Sequence, residues 1–581
     1  MPDAVASLLH QDWRARLVWV TRSHLRAALA LTVLAFCFFL PGQTSLQPMD
    51  RDEPRFAQAS KQMIETGDFV DIRFQQEARH KKPVGIYWLQ VAAVKAGAAL
   101  GVPEPKVQIA LYRLPSLIGA VLMVLATYWA ALAFLSREGA FTAALMMVAS
   151  VLLGVESHLA KTDAVLGALS TATLGFIARA YLSARAPGVI QTLSNNRLVI
   201  FWLIIGLAVL IKGPITPLIA ALACLWLWAR DRSVGWLKTL RPGMGLLIVG
   251  LVVLPWLTLI LVKTGGSFLQ DSVGKDMLAK VGSAQEKHWA PPGAYSGIFW
   301  LTFWPAAALV LLAIPTLWRE RRDDGIALLA GWVIPFWLIV EAVPTKLPHY
   351  VLPLFPAIAI LIVLAAERSG LSMNRALRVI AALLYALIPL AFLIATPAAF
   401  LLLEEGDLFA RIPLYALPFL VLAFAFGLLG AREIWRGEAA MRAVLLGVFA
   451  SLALTLGAYV FGLSKLEALR LSPRLAAAAK ATGCASPSFA TVGYREPSLV
   501  FLTDTNIELT DAAGAAAFMD KPGEGCRIAF IEAASEAGFK AALKGQAAPA
   551  LVARVRGVNL NAAVDKQRKL RILDMGVYVR R

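Results

Sequence analysis

Two carboxylates and a set of basic residues stand at the ends of apolar segments in this chain, where a charge is costly. The carboxylates are Asp52, in the stretch Asp52-Glu53-Pro54-Arg55, and Asp163, in Lys161-Thr162-Asp163. The basic residues are Arg55, Lys82, Arg113, Lys161, Lys212 and Lys346, with His158, His288 and His349 in the same regions. Ionisable groups near membrane depth indicate a functional site by default.

Cations gathered at one membrane face indicate an anionic ligand. A lipid phosphate fits best, because its charge lies at that depth while its tail runs into the bilayer. Arginine can hold a phosphate through two hydrogen bonds, and lysine acts as a point charge. One of the two carboxylates would accept a proton from an attacking hydroxyl group, as a general base does.

Each of these residues also has a purely structural interpretation. Asp52 would cap the helix that starts at Glu53, and Lys212 would neutralise a helix C-terminus. Arg113 would be a loop charge, and Lys346 would extend its ammonium group to the membrane surface. For the set taken together, a shared ligand explains more than separate structural roles do.

The elements that must position these residues are membrane-spanning helices. Of the 581 residues, 58% are hydrophobic and 16% are charged, whereas soluble proteins carry about 25% charged residues. The pattern predicts an all-α polytopic membrane protein with about 13 spans. The predicted spans are Ala27–Leu40, Leu111–Leu135, Ala140–Val155, Ala164–Leu182, Leu198–Ile211, Ile215–Trp228, Leu246–Val262, Ile298–Trp318, Ile326–Val340, Tyr350–Ala366, Val379–Phe400, Ile412–Leu429 and Ala443–Leu463.

Basic residues in alternate turns predict the orientation. They include Arg137, Arg185, Arg230, Arg319, Arg368 and Arg432, and the positive-inside rule places such turns in the cytoplasm. The net charge of +18 therefore reflects topology, and no nucleic-acid motif accompanies it. The N-terminus is predicted to be cytoplasmic, and the segment after the last span is predicted to be periplasmic in the inner membrane of a Gram-negative cell.

Residues 47–108 are predicted to form one large external loop. A helix from Glu53 to Gly67, with Phe56, Ala59 and Met63 on one face, would lie on the membrane. The apolar run PVGIYWLQVAAVKAGAALGV is interrupted by Lys95 and is interpreted as a second interfacial helix, because counting it as a span would invert every later turn.

The composition changes after residue 463, which predicts two parts: a transmembrane domain, 1–463, and a small soluble periplasmic α/β domain, 464–581. SFATVGYREPSLVFL, CRIAFIEA, ALVARVRGVNL and KLRILDMGVYVRR are predicted strands, and DAAGAAAFMDK and EAGFKAALKG are predicted helices. Cys484 and Cys526 would form a disulfide in an oxidising compartment, and the alternative is a pair of buried free thiols.

The motifs resemble those of the ArnT-like integral membrane glycosyltransferases, a GT-C fold family related to glycosyltransferase family 83 and the protein O-mannosyltransferases. In chain order, the motifs are Asp52-Glu53-Pro54-Arg55-Phe56-Ala57, Gly67-Asp68-Phe69, Lys82-Pro83-Val84-Gly85-Ile86-Tyr87-Trp88-Leu89, Arg113-Leu114-Pro115-Ser116, Thr162-Asp163, Lys212-Gly213-Pro214 and Lys346-Leu347-Pro348-His349-Tyr350. They cover the chain from Asp52 to Tyr350, and the C-terminal domain lies outside the resemblance.

The resemblance implies transfer of a sugar from an undecaprenyl-phosphate carrier to lipid A, lipopolysaccharide or another envelope acceptor at the periplasmic face. It implies that Asp52 is the catalytic carboxylate, with Asp163 in the same cavity. The implied carrier-phosphate and sugar contacts are Arg55, Lys82, Tyr87, Arg113, Lys212, Lys346 and Tyr350.

The resemblance does not decide whether the protein binds a metal ion, and it leaves two alternative functions open. Some members of the family hold zinc with a glutamate that is Lys81 here, so no metal or other cofactor is expected, although His80 and His288 remain candidate ligands. The partners would be the lipid-linked donor, the acceptor and membrane lipids. The alternatives are a flippase for a lipid-linked sugar, which midplane charges would favour, and a non-catalytic envelope scaffold.

Overall fold

The computed structural model of the chain is mostly helical, with a small sheet near the C-terminus. It describes residues 15, 17–48, 52–186, 193–272, 274, 289–407, 411–437, 440–522, 525–544, 548–559 and 571–581. Helices of the first half are α1 (His24–Phe39), α2 (Asp52–Thr66), α3 (Gly85–Ala99), α4 (Ile109–Ala131), α5 (Arg137–Val148), α6 (Val151–Ser157), α7 (Asp163–Arg185), α8 (Asn195–Lys212), α9 (Ile215–Asp231) and α10 (Pro242–Thr264).

The second half continues with seven helices before the C-terminal domain. They are α11 (Ala294–Thr302), α12 (Ala307–Arg319), α13 (Asp324–Ala342), α14 (Phe355–Arg368), α15 (Arg375–Leu403), α16 (Leu417–Arg436) and α17 (Ala440–Leu454). A 3₁₀ helix, Pro348–Leu354, leads into α14, and a π-helical segment, Thr455–Gly462, extends α17.

Each of the thirteen predicted spans contains helix. Within the described ranges, nine helical segments are long and apolar enough to cross a membrane. Two further spans are broken: α5 and α6 meet at 62°, and α11 and α12 meet at 115°. Pro305 lies in the second break, where it lacks the backbone N–H that a continuous helix needs. The remaining two, α1 and α9, are shorter, with 16 and 17 residues.

Helix α2 is buried among other parts of the protein, and its position on the membrane surface stays a prediction. Its polar residues Gln58, Ser60 and Lys61 are at most 4% exposed. Ser60 Oγ donates to Gln90 Oε1 of α3 at 2.6 Å, so one side of α2 packs on α3. The short hairpin β1 (Arg73–Phe74) and β2 (Glu77–Ala78) follows α2.

The C-terminal domain contains a five-stranded mixed sheet. Its elements are α18 (Leu471–Lys480), β3 (Ser488–Val492), α19 (Pro497–Leu502), β4 (Glu508–Thr510), α20 (Ala512–Asp520), β5 (Arg527–Glu532), α21 (Glu536–Ala542), β6 (Ala550–Val558) and β7 (Ile572–Arg580). The strand order is β4-β3-β5-β7-β6, with β3 parallel to β4 and β5 and with β7 antiparallel to β5 and β6.

One predicted strand of this domain was wrong. The stretch from Ser488 to Leu502 is β3 followed by α19, because Gly493 turns the chain at φ +85° and Pro497 starts a helix in its first turn. Cys484 and Cys526 are joined by a disulfide with a Cα–Cα distance of 5.9 Å.

Candidate active site

Asp52 and Arg55 lie in the first turn of α2. Arg55 Nη1 is 3.7 Å from Asp52 Oδ1, and the side chains are 20% and 39% exposed, respectively. Glu53, which follows Asp52 in the chain, is fully buried. Of the two adjacent acidic residues, only Asp52 therefore has a carboxylate that is accessible to a substrate.

Glu53 forms a buried ion pair with Arg113. Arg113 Nε and Nη2 donate to the two carboxylate oxygens at 2.7 and 2.9 Å, and the backbone N–H of Ala160 donates to Oε1 at 2.9 Å. Arg113 also donates to the carbonyl oxygens of Gln43, Leu46 and Gln47. These bonds use all five guanidinium donors. The structure thus places Arg113 in an anchor for the start of α2, and its predicted contact with the carrier phosphate or sugar stays a prediction.

A second charged group lies where α6 ends, α7 begins and α8 ends. Asp163, the first residue of α7, accepts a hydrogen bond from Lys212 Nζ at the end of α8. His349 bridges two carboxylates, with Nε2 3.8 Å from Asp163 Oδ1 and Nδ1 3.5 Å from Glu156 Oε1. Lys161 Nζ lies 3.5 Å from the same Glu156 oxygen. The imidazole ring therefore lies between two carboxylates, each of which is also paired with a lysine.

Lys82 and Tyr350 border this group. Lys82 lies within electrostatic reach of His349, and Lys212 Nζ lies 5.4 Å from the centre of the Tyr350 ring. The turn that carries Lys82 packs against α8 because Gly85 has no side chain: a Cβ there would lie 2.7 Å from the Leu210 carbonyl oxygen. Lys82 is thereby held near the end of α8 that carries Lys212.

Two other predicted substrate contacts, Lys346 and Tyr87, bond to or pack against helices of the protein. Lys346 is 9% exposed, and its Nζ donates to the carbonyl oxygens of Glu341 and Val343 at 2.7 Å and of Val340 at 3.3 Å. These bonds satisfy the C-terminus of α13 and use the three ammonium donors. Tyr87 is fully buried and stacks on Phe56 of α2 at 5.4 Å. Both residues hold helices in place, and their predicted contacts with the substrate stay predictions.

Of the two histidines predicted as metal ligands, the structure describes His80. His80 Nε2 is 2.8 Å from Asp71 Oδ1, and His80 Nδ1 is 3.5 Å from Asp271 Oδ2, so its nitrogens face separate carboxylates. Burial alone would raise the pKa of Asp71, but hydrogen bonds from His80 and Arg73 outweigh it and lower that pKa. His288 lies outside the described residues.

A different trio has the geometry of a metal site. Ligand atoms of Glu156, Asp163 and His349 lie within 4.8 Å of one another. The ammonium groups of Lys161 and Lys212 already pair with these two carboxylates, so a cation bound there would compete with two lysines. Glu156 was not among the predicted site residues. Its signal in the sequence is an acidic residue at the end of an apolar run, in GVESHLAKTD.

The group formed by Glu156, Lys161, Asp163, Lys212 and His349 lies at one end of the spanning helices, and Asp52 lies at the start of α2, which precedes them in the chain. The chain is similar to ArnT. The crystal structure of ArnT from Cupriavidus metallidurans bound to undecaprenyl phosphate aligns with a TM-score of 0.71 and 18% identity, over 94% of this chain and 97% of that one. The apo structure aligns with a TM-score of 0.72 and 17% identity, over 98% of each chain. These matches confirm the predicted GT-C fold.

The sequence relatives point in the same direction. The chain is 26% identical over 364 residues to the undecaprenyl phosphate-alpha-4-amino-4-deoxy-L-arabinose arabinosyl transferase of Edwardsiella ictaluri, which is 60% of this chain and 60% of that protein. The match to the enzyme with the same name from Yersinia enterocolitica is 25% identical over 61% of each chain. The chain thus spans about three fifths of these relatives' length. No protein-family model matches the chain.

Proposed function

We propose that the protein is a membrane glycosyltransferase that moves a sugar from an undecaprenyl-phosphate carrier to an envelope acceptor. Lipid A, lipopolysaccharide or another glycan would be the acceptor, at the periplasmic face of the inner membrane. The observation that carries the proposal is the row of cations at one end of the spanning helices, within a fold that matches ArnT bound to undecaprenyl phosphate over almost its full length.

The proposed phosphate site consists of Arg55, Lys82 and Lys212, with Lys161 beside them. Lys212 is already paired with Asp163, and Lys161 lies near Glu156. These pairs hold the ammonium groups at the site before the ligand arrives. Their positive charge would stabilise the negative charge that builds up on the phosphate as the sugar leaves. Tyr350, next to Lys212, would contact the sugar or the phosphate.

Asp52 would act on the acceptor. In the transfer step, the bond between the anomeric carbon and the carrier phosphate oxygen breaks, and the acceptor oxygen bonds to that carbon. The acceptor hydroxyl proton passes to the Asp52 carboxylate, and the electron pair of the broken bond stays on the carrier phosphate. If the acceptor is itself a phosphate anion, Asp52 instead orients it, since no proton has to be removed.

No cofactor is part of the proposed step. The trio Glu156, Asp163 and His349 has ligands that suit a divalent cation, which would supply positive charge at the carrier phosphate. The lysines that pair with the same carboxylates supply such charge from the chain itself. We assign the role to the lysines on that ground.

The proposed topology has a cytoplasmic N-terminus and a periplasmic C-terminal domain. The boundary between the two parts is proposed at residues 463–464, near the end of the last apolar segment, Met441–Lys465. The charged group lies at helix ends, where a phosphate headgroup would be. This arrangement suits transfer at one membrane face better than the midplane site of a transporter.

Mass spectrometry of envelope lipids and glycans from a deletion strain and its parent tests the function. We expect a glycan or lipid in the parent to lose one sugar residue in the deletion strain, and the lost mass identifies the sugar. A plasmid that encodes the wild-type chain should restore the sugar. Identical spectra from the two strains would contradict the proposal.

A further inference from the structure

The C-terminal domain contacts the same helix that carries Asp52 and Arg55. Lys61 of α2 donates from Nζ to the backbone carbonyl oxygen of Phe501 in α19 at 3.0 Å. Lys61 is 4% exposed and Phe501 is fully buried. A buried ammonium group needs such a partner, so this contact ties α2 to the domain at a point shielded from water.

The hydroxyl group of Thr505 makes the second contact between the domain and α2. Gln58 Nε2 of α2 donates to Thr505 Oγ1 at 2.8 Å, and Thr505 Oγ1 donates to Glu65 Oε2 of α2 at 2.6 Å. Gln58 is fully buried, and Thr505 is 9% exposed. Thr505 therefore bridges two positions, almost two helical turns apart, on the same helix.

The hairpin that follows α2 makes a third contact with the C-terminal domain, through Gln75. Gln75 Nε2 lies 3.0 Å from the carbonyl oxygens of both Thr505 and Ile507. The backbone of Gln75 has φ +54°, which is uncommon for a residue other than glycine. Gln62 of α2 holds it there, because Gln62 Nε2 donates to Gln75 O at 2.7 Å and Gln75 N donates to Gln62 Oε1 at 2.9 Å.

Two ion pairs between the domain and the rest of the chain are exposed, whereas the Phe501 ring is buried against Tyr112 of α4, with ring centroids 5.2 Å apart. Lys480 Nζ is 2.8 Å from Glu104 Oε1, and these side chains are 74% and 61% exposed. Arg556 Nη1 is 2.6 Å from Glu405 Oε1, with exposures of 54% and 71%. Exposed ion pairs contribute little to docking. The hydrogen bonds to α2 and its hairpin are therefore the polar contacts through which the domain holds this helix.

We propose that the C-terminal domain positions the active site by fixing α2 through Thr505 and the Phe501 carbonyl. The Glu53–Arg113 ion pair holds the start of α2, and packing on α3 covers one side of the helix. The domain holds the helix further along, at Gln58, Lys61 and Glu65, and these contacts together fix its direction and the placement of Arg55 and Asp52. Thr505 is a positioning residue in this scheme. The inference rests on the proposed function, because it assigns the helix an active-site role.

The substitution Thr505→Val keeps the side-chain shape and removes the hydroxyl bridge. We expect amide hydrogen exchange of residues 52–66 to become faster in this variant of the full-length protein. We also expect its affinity for undecaprenyl phosphate to fall about tenfold, because small displacements of binding groups have large effects. Thr505→Ser keeps the hydroxyl group and should restore both properties.

Two further variants separate positioning from general loss of stability. Lys480→Ala removes an exposed contact between the same two parts and should leave exchange and affinity unchanged. Gln75→Gly removes the side-chain bonds to the domain while its φ of +54° suits glycine. It should therefore reproduce the Thr505→Val effect even if Thr505→Val does not fold.

The outcomes distinguish this inference from the proposed function. Failure of the wild-type protein to bind undecaprenyl phosphate would overturn the function. Unchanged exchange of residues 52–66 in Thr505→Val, or in Gln75→Gly if Thr505→Val does not fold, would overturn the positioning role whatever the ligand is. Faster exchange with wild-type affinity would also overturn it, since the domain would then hold α2 without placing Arg55.

Discussion

Asp52 and Glu53 are neighbours in the chain, yet the structure gives them opposite surroundings. The Asp52 side chain is 39% exposed beside Arg55, and Glu53 is enclosed with Arg113. We expect Asp52→Asn to lower the transfer rate at least ~10²-fold if Asp52 takes the acceptor proton, because an amide cannot act as the base. Membrane insertion and thermal stability should stay near wild type. Turnover of purified Asp52→Asn at close to the wild-type rate would leave Asp52 without a catalytic role.

Glu53→Gln is the matched control for that variant. It makes the same chemical change one residue later, but it leaves the buried Arg113 charge without its counter-ion. Loss of one partner of a buried ion pair costs about 3–5 kcal/mol. We therefore expect poor expression and a much lower unfolding temperature in detergent. A Glu53→Gln protein that is as stable as wild type would contradict the anchor role of Glu53.

Lys82 and Lys346 allow a similar comparison between a ligand contact and a helix cap. Lys82→Ala should weaken binding of undecaprenyl phosphate about tenfold to a hundredfold, since a hydrogen bond to a charged group contributes roughly 1.5–3 kcal/mol. Lys346→Ala should instead lower the unfolding temperature, because it removes the three bonds to the end of α13. Binding isotherms and thermal melts of both purified variants test this. A larger affinity loss in Lys346→Ala than in Lys82→Ala would reverse the two assignments.

At the scale of elements, the turn before α3 determines where Lys82 lies. A Cβ at Gly85 would approach the Leu210 carbonyl oxygen to 2.7 Å, and neither backbone can move without disturbing a helix. We expect Gly85→Ala to displace this turn and to weaken undecaprenyl phosphate binding, with a stability cost of about 1–3 kcal/mol from overpacking. In Gly250→Ala, the new Cβ would meet only Leu254 Cδ1 at 3.5 Å. Equal affinities of the two variants would contradict the positioning of Lys82 by Gly85.

The sequence predicted the helices better than their surroundings. The thirteen apolar runs have a local signal, and each contains helix in the structure. The partner of α2 has no local signal, because Lys61 and Phe501 lie 440 residues apart in the chain. The sequence of α2 therefore could not show that Gln58, Lys61 and Glu65 face the C-terminal domain.

The same limit applies to the site. The residue type and position of Arg113 and Lys346 predicted contacts with the carrier phosphate or sugar. Only the folded chain shows that Arg113 pairs with Glu53 and that Lys346 donates to helix carbonyl oxygens. The positions of Asp163 and Lys212 were predicted together from their shared membrane face, and the structure places them in one ion pair.

For the whole molecule, the contact between α2 and the C-terminal domain requires both to be on the same side of the membrane. Lys61 reaches Phe501, and Gln75 reaches Thr505 and Ile507. From the basic residues of alternate turns, we predict that this side lies opposite the cytoplasm. We expect exposed cysteines at Gln76→Cys and Ala513→Cys to react with an impermeant reagent in intact spheroplasts. A background with Cys37→Ala and Cys224→Ala removes the two free thiols. Ser233→Cys, in the turn between α9 and α10, should react only after lysis. Labelling of Ser233→Cys in intact spheroplasts, or protection of either of the other two sites, would overturn this orientation, and the proposed periplasmic transfer with it.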